Sequence, residues 1–495
     1  MSVQVKPNGH TKEATTERSP VTTAAWNKLK QYLPSRDPDT DFWWKYSGLH
    51  LALMLEEAEY PPEKQIAALL FFYHWGAPYM GPTPFTDSSK VNWKSLVQPD
   101  GTPIEYSWKW PQAGAGAPEV RYDFEPIGAQ AGMEWDPLCQ LAAKELMGRL
   151  ARSISEARVD NTWFYHFMST LFEHDSTKLI AAAARGEHVS STVLMAAEFL
   201  PRGVSFKTYI QPRLLGYPGV TPISVYEASI AGIEAKTPAR AAVHDFLRNS
   251  EEGRLMCPFS VGVDNRAGSR LKWYFNSPHT RFASVRAILT LDGRVRSPHL
   301  ERQLRDLDEL IKGVLGLPAD FPETEHPAVF LGAKSPYNLP PPPPAPPSSS
   351  ADSSSAVDDS TPVTFAPGYP YYFDVAPGQD LPGVKWSLPV RNYDVGDFQV
   401  AKAFTAWMEK QGRGKYCGRY MSLLARMAAA KGTTLEESKG LQEFISVMLK
   451  LDGEIDVTTY FAALAWTEHE QQAVGEKNGS SSPLGRSTRR RGSNY

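Results

Sequence analysis

The chain has little of three features that narrow a protein's class: cysteine, long apolar runs and net charge. Its three cysteines, Cys139, Cys257 and Cys417, lie far apart, without the spacing of a disulfide framework or a zinc site. We therefore expect them to be reduced and buried. The apolar stretch at 66–80 is interrupted by polar residues and proline, and the N-terminus has no apolar signal core. These absences predict a cytoplasmic protein that does not enter a membrane.

The charge balance and the positions of the aspartates argue against two further classes, proteins that bind polyanions through their overall charge and proteins with an aspartate-bound metal. The formal net charge is only -3, so no global field attracts nucleic acid or an acidic membrane, and any charge-based function must be local. An aspartate-rich motif for a divalent metal is also missing. DPDTD at 37–41 precedes a helix, and DD at 358–359 lies in a serine-rich stretch. Helix capping and solvation are their expected roles, and no metal site is predicted.

Three segments differ in composition from packed protein. We expect a disordered N-terminus at 1–20, a disordered Pro/Ser-rich insertion at 338–362 and a disordered basic tail at 472–495. The insertion reads as a plain spacer in preference to a ligand for a proline-recognition domain. The remainder, 21–465, is predicted to form a single domain.

Within that domain, pairs of helical patterns alternate with pairs of extended runs, five times in succession. The extended runs are 104–110, 120–127, 191–200, 204–212, 254–263, 269–276, 369–375, 383–390, 440–449 and 454–461. Short links within each pair suit antiparallel hairpins. The pattern predicts an α+β fold in which five ααββ units close a ten-stranded antiparallel barrel ringed by helices, because closure removes exposed edges. An open two-layer sheet is the alternative.

Strand alternation in a closed barrel directs every second side chain inward. The second strand of successive units then presents cations and aromatic residues together, as in FKTYIQP and SRLKWYF. The residues on this face are Arg121, Lys207, Tyr209, Arg270, Lys272, Tyr274 and Lys385. Any one of these cations alone would be read as an outward-facing charge, but the repetition favours the interior.

Clustered cations in an interior are costly unless an anion neutralises them, and a diphosphate is a suitable one. Arginine grips phosphate oxygens bidentately and lysine adds a point charge. Tyrosine faces stabilise a cation by roughly 0.5–2 kcal/mol for each ring. The combination indicates a reaction that ionises an organic diphosphate to a carbocation, with the diphosphate held by cations alone.

Several stretches closely resemble the fungal aromatic prenyltransferases of the dimethylallyltryptophan synthase type, over most of residues 22–462. The stretches are GAPYMGPTP, IEYSWKW, VRYDFEPIG, FKTYIQPRL, SRLKWYFNSPHTRFASVRAILTLDGR, GVKWSLPVRNY and KGLQEFISV. The resemblance implies the ABBA barrel of that family, which transfers a prenyl group from dimethylallyl diphosphate, or a longer homologue, to an aromatic acceptor. It also implies that neither a metal nor another cofactor is required.

By position in these motifs, the resemblance implies roles for individual residues. Glu105 resembles the carboxylate that accepts a hydrogen bond from the acceptor, and its alternation with Tyr106 and Trp108 directs it inward. The diphosphate-binding cations would be Arg121, Lys207, Arg270, Lys272 and Lys385. The cation-shielding rings would be Tyr209, Tyr274 and Phe444. Two positions depart from the family pattern: Ser387 and Phe444 stand where tyrosine is common, so we expect a roomier cavity.

The resulting expectation is prenyl transfer to an indole-containing acceptor in alkaloid biosynthesis. A phenolic polyketide acceptor of the xanthone or naphthacene type is the alternative. A barrel that binds diphosphates without catalysis, and a scaffold with outward cations, are less favoured. The expected partners are the two small-molecule substrates, with neither nucleic acid nor membrane, and the chain is expected to be a monomer or homodimer.

Overall fold

The computed structural model describes residues 21–86, 91–114, 116–185, 191–212, 221–234, 236–334 and 368–467. The helices are α1 (Ala24–Tyr32), α2 (Pro38–Glu57), α3 (Pro62–Phe71), α4 (Leu141–Ser153), α5 (Thr162–Thr170), α6 (Ser176–Ala184), α7 (Ile223–Ala231), α8 (Pro238–Asn249), α9 (Glu251–Arg254), α10 (Phe282–Thr290), α11 (Leu300–Leu315), α12 (Pro327–Phe330), α13 (Asp397–Lys410) and α14 (Cys417–Ala430). The strands are β1 (Ile104–Lys109), β2 (Glu119–Phe124), β3 (Val193–Phe199), β4 (Val204–Ile210), β5 (Cys257–Asp264), β6 (Leu271–Ser277), β7 (Tyr369–Val375), β8 (Gly383–Pro389), β9 (Gln442–Leu449) and β10 (Ile455–Ala462).

The strands close into one antiparallel barrel in which each strand pairs with its neighbours in the sequence. Strand β1 pairs with β10, and Glu105 stands opposite Ala462 in that register, so the sheet has no free edge. The predicted ten-stranded barrel of ααββ units is therefore confirmed, and the open two-layer sheet is wrong. Closure satisfies the backbone groups that edge strands would expose.

The core lies between the outer face of the barrel and the helices around it. Trp108 of β1 packs against Tyr420 of α14, with ring centroids 6.3 Å apart. Trp273 of β6 packs in the same way against Tyr226 of α7, at 6.0 Å. Because large apolar residues fill one face of each strand, the polar residues between them point into the lumen.

Local signals explain where the elements begin and where the sequence was misread. Asp37 caps α2 by accepting a hydrogen bond from the backbone N–H of Thr40 at 2.9 Å, which confirms capping as a role of the DPDTD segment. Helices α6, α9 and α12 have no counterpart among the helical patterns of the sequence, because each is too short to show a clear helical period. Arg270 immediately precedes β6, whereas the sequence placed it inside the strand.

The remaining expectations concern the low-complexity segments, the burial of the cysteines and the absence of a membrane-spanning helix. The segments 1–20, 338–362 and 472–495 and the aspartates at 358–359 lie outside the described ranges. Cys139 and Cys417 are buried, but Cys257 is half-buried, so the expectation of three buried thiols was wrong for Cys257. Within the described ranges, no helix combines the length and the apolar composition needed to span a bilayer.

Candidate active site

Two of the expected diphosphate-binding cations share one carboxylate in the lumen. Lys207 of β4 donates a hydrogen bond to Glu198 of β3 at 2.9 Å, and a guanidinium nitrogen of Arg121 on β2 lies 3.8 Å from the same carboxylate. Burial alone would raise the pKa of Glu198, but the charges of Arg121 and Lys207 lower it. Glu198 is therefore ionised and neutralises part of this positive charge.

A second group of charges joins β5, β6 and β7. Asp264 accepts hydrogen bonds from Lys272 at 2.7 Å and from Nε of Arg270 at 3.0 Å. Arg270 also donates to Asp374 at 2.6 Å. Lys272 has a side chain only 5% exposed, and burial together with the nearby charge of Lys207 lowers its pKa to about 7. Its ammonium group is therefore only partly populated at neutral pH.

Lys385 of β8 completes the set of cations. It donates a hydrogen bond to Thr458 Oγ1 at 3.0 Å, and its Nζ lies 4.0 Å from Asp456. Burial lowers its pKa to about 8, and the charges of Arg121 and Lys207 act on it in the same direction. The barrel thus brings the five expected cations into one electrostatically coupled group.

The carboxylates of this group were missed when the sequence was read. Glu198, Asp264, Asp374 and Asp456 sit at inward positions of β3, β5, β7 and β10, which neighbour the cation-bearing strands. The interior charge is therefore offset by the chain itself, which the sequence reading did not anticipate. Strand alternation could have shown that each of them points inward, but not which cation it faces.

Aromatic rings line the lumen beside the cations. Tyr209 and Tyr274 meet edge to face, with centroids 5.8 Å apart and an interplanar angle of 81°. Tyr372 of β7 lies 4.9 Å from Tyr274, and Phe444 of β9 lies 6.2 Å from Tyr460 of β10. The expected rings Tyr209 and Tyr274 are in contact, whereas Phe444 belongs to a separate pair. Sequence reading missed Tyr372 and Tyr460, although both alternate inward.

Glu105 belongs to a group of polar side chains that also contains Glu443, Arg391 and Gln98. It hydrogen-bonds to Glu443 of β9, and burial, followed by the charge of Glu443, raises its pKa well above the usual range. Glu443 in turn forms an ion pair with Arg391, which follows β8, and accepts a hydrogen bond from Gln98 at 2.8 Å. The arrangement therefore favours the protonated form of Glu105.

Arg391 and Ser387 give this end of the lumen its further polar character. The side chain of Arg391 is 7% exposed, and its Nε and Nη1 have no hydrogen-bond partner among the described residues. Ser387 of β8 lies opposite Ser446 of β9, and their hydroxyl oxygens are 2.5 Å apart. At position 387, where the resemblance implied that a tyrosine is common, two small hydroxyl groups therefore meet.

In the described part of the chain, no three His, Cys, Asp or Glu side chains are grouped so that they could hold a metal ion.

Comparison with known proteins agrees with this architecture. Residues 39–422 match the family described as tryptophan dimethylallyltransferase. Prenyltransferase anuH of Penicillium roqueforti is 43% identical, over 90% of this chain and 93% of that protein. Xanthone prenyltransferase B of Emericella nidulans is 41% identical, over 89% of this chain and 91% of that protein. AnaPT of Neosartorya fischeri, a solved structure, superposes with a TM-score of 0.68 at 19% identity, covering 89% of this chain and 98% of that one.

A closed ten-stranded barrel ringed by helices, with cations, aromatic rings and a buried carboxyl in its lumen, defines the class of aromatic prenyltransferase barrels. The chain belongs to the tryptophan dimethylallyltransferase family, and it is an aromatic prenyltransferase of the dimethylallyltryptophan synthase type. This confirms the resemblance stated from the motifs, and it decides for an enzyme over a non-catalytic barrel or a scaffold.

Proposed function

We propose that the enzyme transfers a prenyl group from dimethylallyl diphosphate, or a longer homologue, to a phenolic aromatic acceptor, without a metal. The observation that supports this most directly is the buried contact of Glu105 with Glu443, which raises the pKa of Glu105 well above the usual range and suits an oxygen-bearing acceptor. Two relatives at 41% and 40% identity, over about nine-tenths of each chain, are named xanthone prenyltransferases. A xanthone-like phenol is therefore the first acceptor class to test.

The donor diphosphate is proposed to bind Arg121, Lys207, Arg270, Lys272 and Lys385. In the free enzyme these cations are engaged by carboxylates, so binding exchanges one anion for another. As the C–O bond of the donor breaks, negative charge accumulates on the leaving diphosphate. Cations already fixed by their carboxylate partners stabilise that charge with little reorganisation.

The allylic cation is proposed to form among the aromatic rings. Tyr209 and Tyr274 meet edge to face in the aromatic lining, and Phe444 contributes from the β9 side. Each ring face can stabilise a cation by roughly 0.5–2 kcal/mol. Tyr372 and Tyr460 extend this lining, and the closed wall limits the access of water that would convert the cation to an alcohol.

Glu105 is proposed to hold the acceptor. As a neutral acid it donates a hydrogen bond to a phenolic or carbonyl oxygen, which orients the ring toward the cation. An indole acceptor remains the second candidate, because a buried carboxyl facing the lumen is also a suitable partner for an indole N–H. For that role Glu105 would act best when ionised, which the neighbouring Glu443 opposes.

A panel of phenols and indoles, each incubated with dimethylallyl and geranyl diphosphate and read by mass spectrometry, tests the proposal. We expect prenylated phenols and release of diphosphate with chelator present. Glu105→Gln, which mimics a neutral acid, should keep turnover within about tenfold of wild type, whereas Glu105→Leu should lose about 10- to 100-fold, the equivalent of one lost hydrogen bond. Exclusive prenylation of indoles, with turnover abolished in Glu105→Gln, would support the second candidate instead.

A further inference from the structure

Asp123 is a lumen carboxylate that the motif reading did not single out. It lies on β2 two residues after Arg121, so the two side chains share the inward face. Tyr122, between them, packs outward against Phe72, with ring centroids 5.2 Å apart. Asp123 is 5% exposed. The strand therefore fixes a carboxylate in the interior, beside a cation that is expected to hold the donor.

Asp123 stands directly opposite Glu105 in the antiparallel register of β1 and β2. Side chains at such paired positions are close neighbours on the same face of a sheet. Their surroundings differ: burial and the adjacent Glu443 raise the pKa of Glu105 well above the usual range, whereas the charges of Arg121 and Lys207 favour the ionised form of Asp123. Burial raises the pKa of Asp123 to about 6, so it is mostly ionised at neutral pH. Two adjacent carboxyls whose surroundings shift their pKa values apart are a common arrangement of acid and base.

The ionised carboxylate is incompletely satisfied in the free enzyme. The hydroxyl of Tyr209 hydrogen-bonds to Asp123, but Oδ1 is buried and has no partner within the ranges that the structure describes. A buried carboxylate oxygen without a partner is costly and is seldom left so without a functional reason. Its neighbour Tyr209 is one of the rings proposed to surround the allylic cation. The unpartnered oxygen therefore lies where the reacting atoms are expected to meet.

We propose that Asp123 is the proton acceptor of the prenyl transfer. This rests on the proposed function and deepens it. The bond between C1 of the donor and its oxygen breaks, and the electron pair leaves with the diphosphate. A pair of π electrons from the acceptor ring forms the new bond to C1. The C–H bond at the attacked carbon then breaks, its electron pair restores the aromatic ring, and the proton moves to the carboxylate of Asp123.

Donor binding strengthens this base. Arg121 and Lys207, which lower the pKa of Asp123, are the cations proposed to contact the diphosphate. A bound diphosphate offsets their charge and raises the pKa of Asp123 toward neutrality, where a general base is most effective. The titratable and charged groups that interact with Asp123 from the surrounding strands are Glu105, Arg121, Glu198, Lys207, Tyr209, Tyr274 and Tyr460.

The test compares Asp123→Asn with wild type, using the acceptor found for wild type and the same acceptor deuterated at the position that is prenylated. We expect kcat to fall by about 10²- to 10⁴-fold, the usual contribution of a general base. The dissociation constant of a non-reactive thiolodiphosphate donor analogue should change by less than about threefold, since Asp123 does not hold the donor. Proton loss should become rate-limiting, so a primary deuterium isotope effect should appear in the variant and exceed that of wild type.

Two further variants keep the outcome decisive. Asp123→Glu retains a carboxylate at a displaced position, so it should recover part of the rate and keep an isotope effect, even if the asparagine variant folds poorly. Asp320→Asn, on the exposed surface, is the matched control and should behave as wild type.

Turnover of Asp123→Asn near the wild-type value without an isotope effect would overturn the proposal, with the released diphosphate then the proton acceptor. A loss of rate fully accounted for by weaker analogue binding would overturn it too. Wild-type protein that forms no product would instead overturn the proposed function.

Discussion

Lys272 donates a hydrogen bond to Asp264 at 2.7 Å, and both side chains are buried in the lumen of the barrel. A buried ion pair of this kind is weak as a source of stability, because desolvation of the two charges offsets their attraction. It does hold the ammonium group that is proposed to bind the donor in a fixed position. Burial and the charge of Lys207 outweigh the attraction of Asp264 here, because they lower the pKa of Lys272 to about 7.

Donor binding should weaken as the pH rises above 7. The charged form of Lys272 is the one proposed to bind diphosphate, and below its pKa of about 7 that form is already present. Above that pH the lysine must take up a proton on binding, so affinity should fall by up to about tenfold for each pH unit. Titration of a thiolodiphosphate analogue between pH 7 and 8 measures this slope. Lys272→Arg stays charged and should flatten this slope, whereas Lys402→Arg, at an exposed position, should leave it unchanged. An unchanged slope in Lys272→Arg would show that Lys272 is not the group that titrates.

Replacement of Asp264, whose carboxylate pairs with two cations, should lower the stability of the free enzyme and increase its stabilisation by diphosphate. Asp264→Asn leaves Lys272 and Arg270 without their shared partner, although Asp374 still pairs with Arg270. The free energy of unfolding should fall by about 3–5 kcal/mol, as for other broken buried ion pairs. Inorganic diphosphate should then raise Tm more than in wild type, because it no longer replaces a carboxylate. Equal shifts in the variant, wild type and the surface control Asp320→Asn would refute this account.

The fold could be predicted from the sequence because each strand shows its own alternation of outward apolar and inward polar residues. The large residues of β6, such as Trp273, mark the outer face, and Lys272 and Tyr274 fall on the inner one. Helix α6 escaped because its alanine-rich run has little periodic contrast. Local patterns thus identified every strand of the barrel, and they missed short helices and strand boundaries such as that at Arg270.

The charge partners in the site could not be read in the same way. Glu198 meets Arg121 across the β2–β3 pair and Lys207 across the β3–β4 hairpin, so its role depends on register between strands. A linear motif shows the residue but not what stands opposite it. The same holds for Glu443, whose contact with Glu105 needs the junction of β1, β10 and β9. Closure of the barrel, which is a property of the whole chain, creates these pairs.

Gly262→Ala should expose the allylic cation to water. Gly262 stands opposite Tyr209 in the register of β4 and β5, and an added Cβ would lie 3.0 Å from Cδ1 of Tyr209 and 3.1 Å from Cε2 of Tyr274. The two rings would have to separate. We expect the ratio of dimethylallyl alcohol to prenylated acceptor to rise severalfold, measured by chromatography. Gly313→Ala, in the open on α11, is the control, and an unchanged ratio in Gly262→Ala would show that this ring contact does not exclude water.

Ser387 should set the length of prenyl chain that the lumen accepts. It lies opposite Ser446, with their hydroxyl oxygens 2.5 Å apart, so no ring fills this part of the wall. Ser387→Tyr should lower kcat/KM for geranyl diphosphate by at least about tenfold relative to dimethylallyl diphosphate, because the new ring takes the space of the longer chain. Overpacking can cost about 1–3 kcal/mol, so thermal unfolding should be measured in parallel. Ser387→Ala keeps the space and should keep the wild-type ratio. If the tyrosine variant also kept that ratio, the longer chain would have to lie elsewhere in the lumen, beside the Tyr274 and Tyr372 pair.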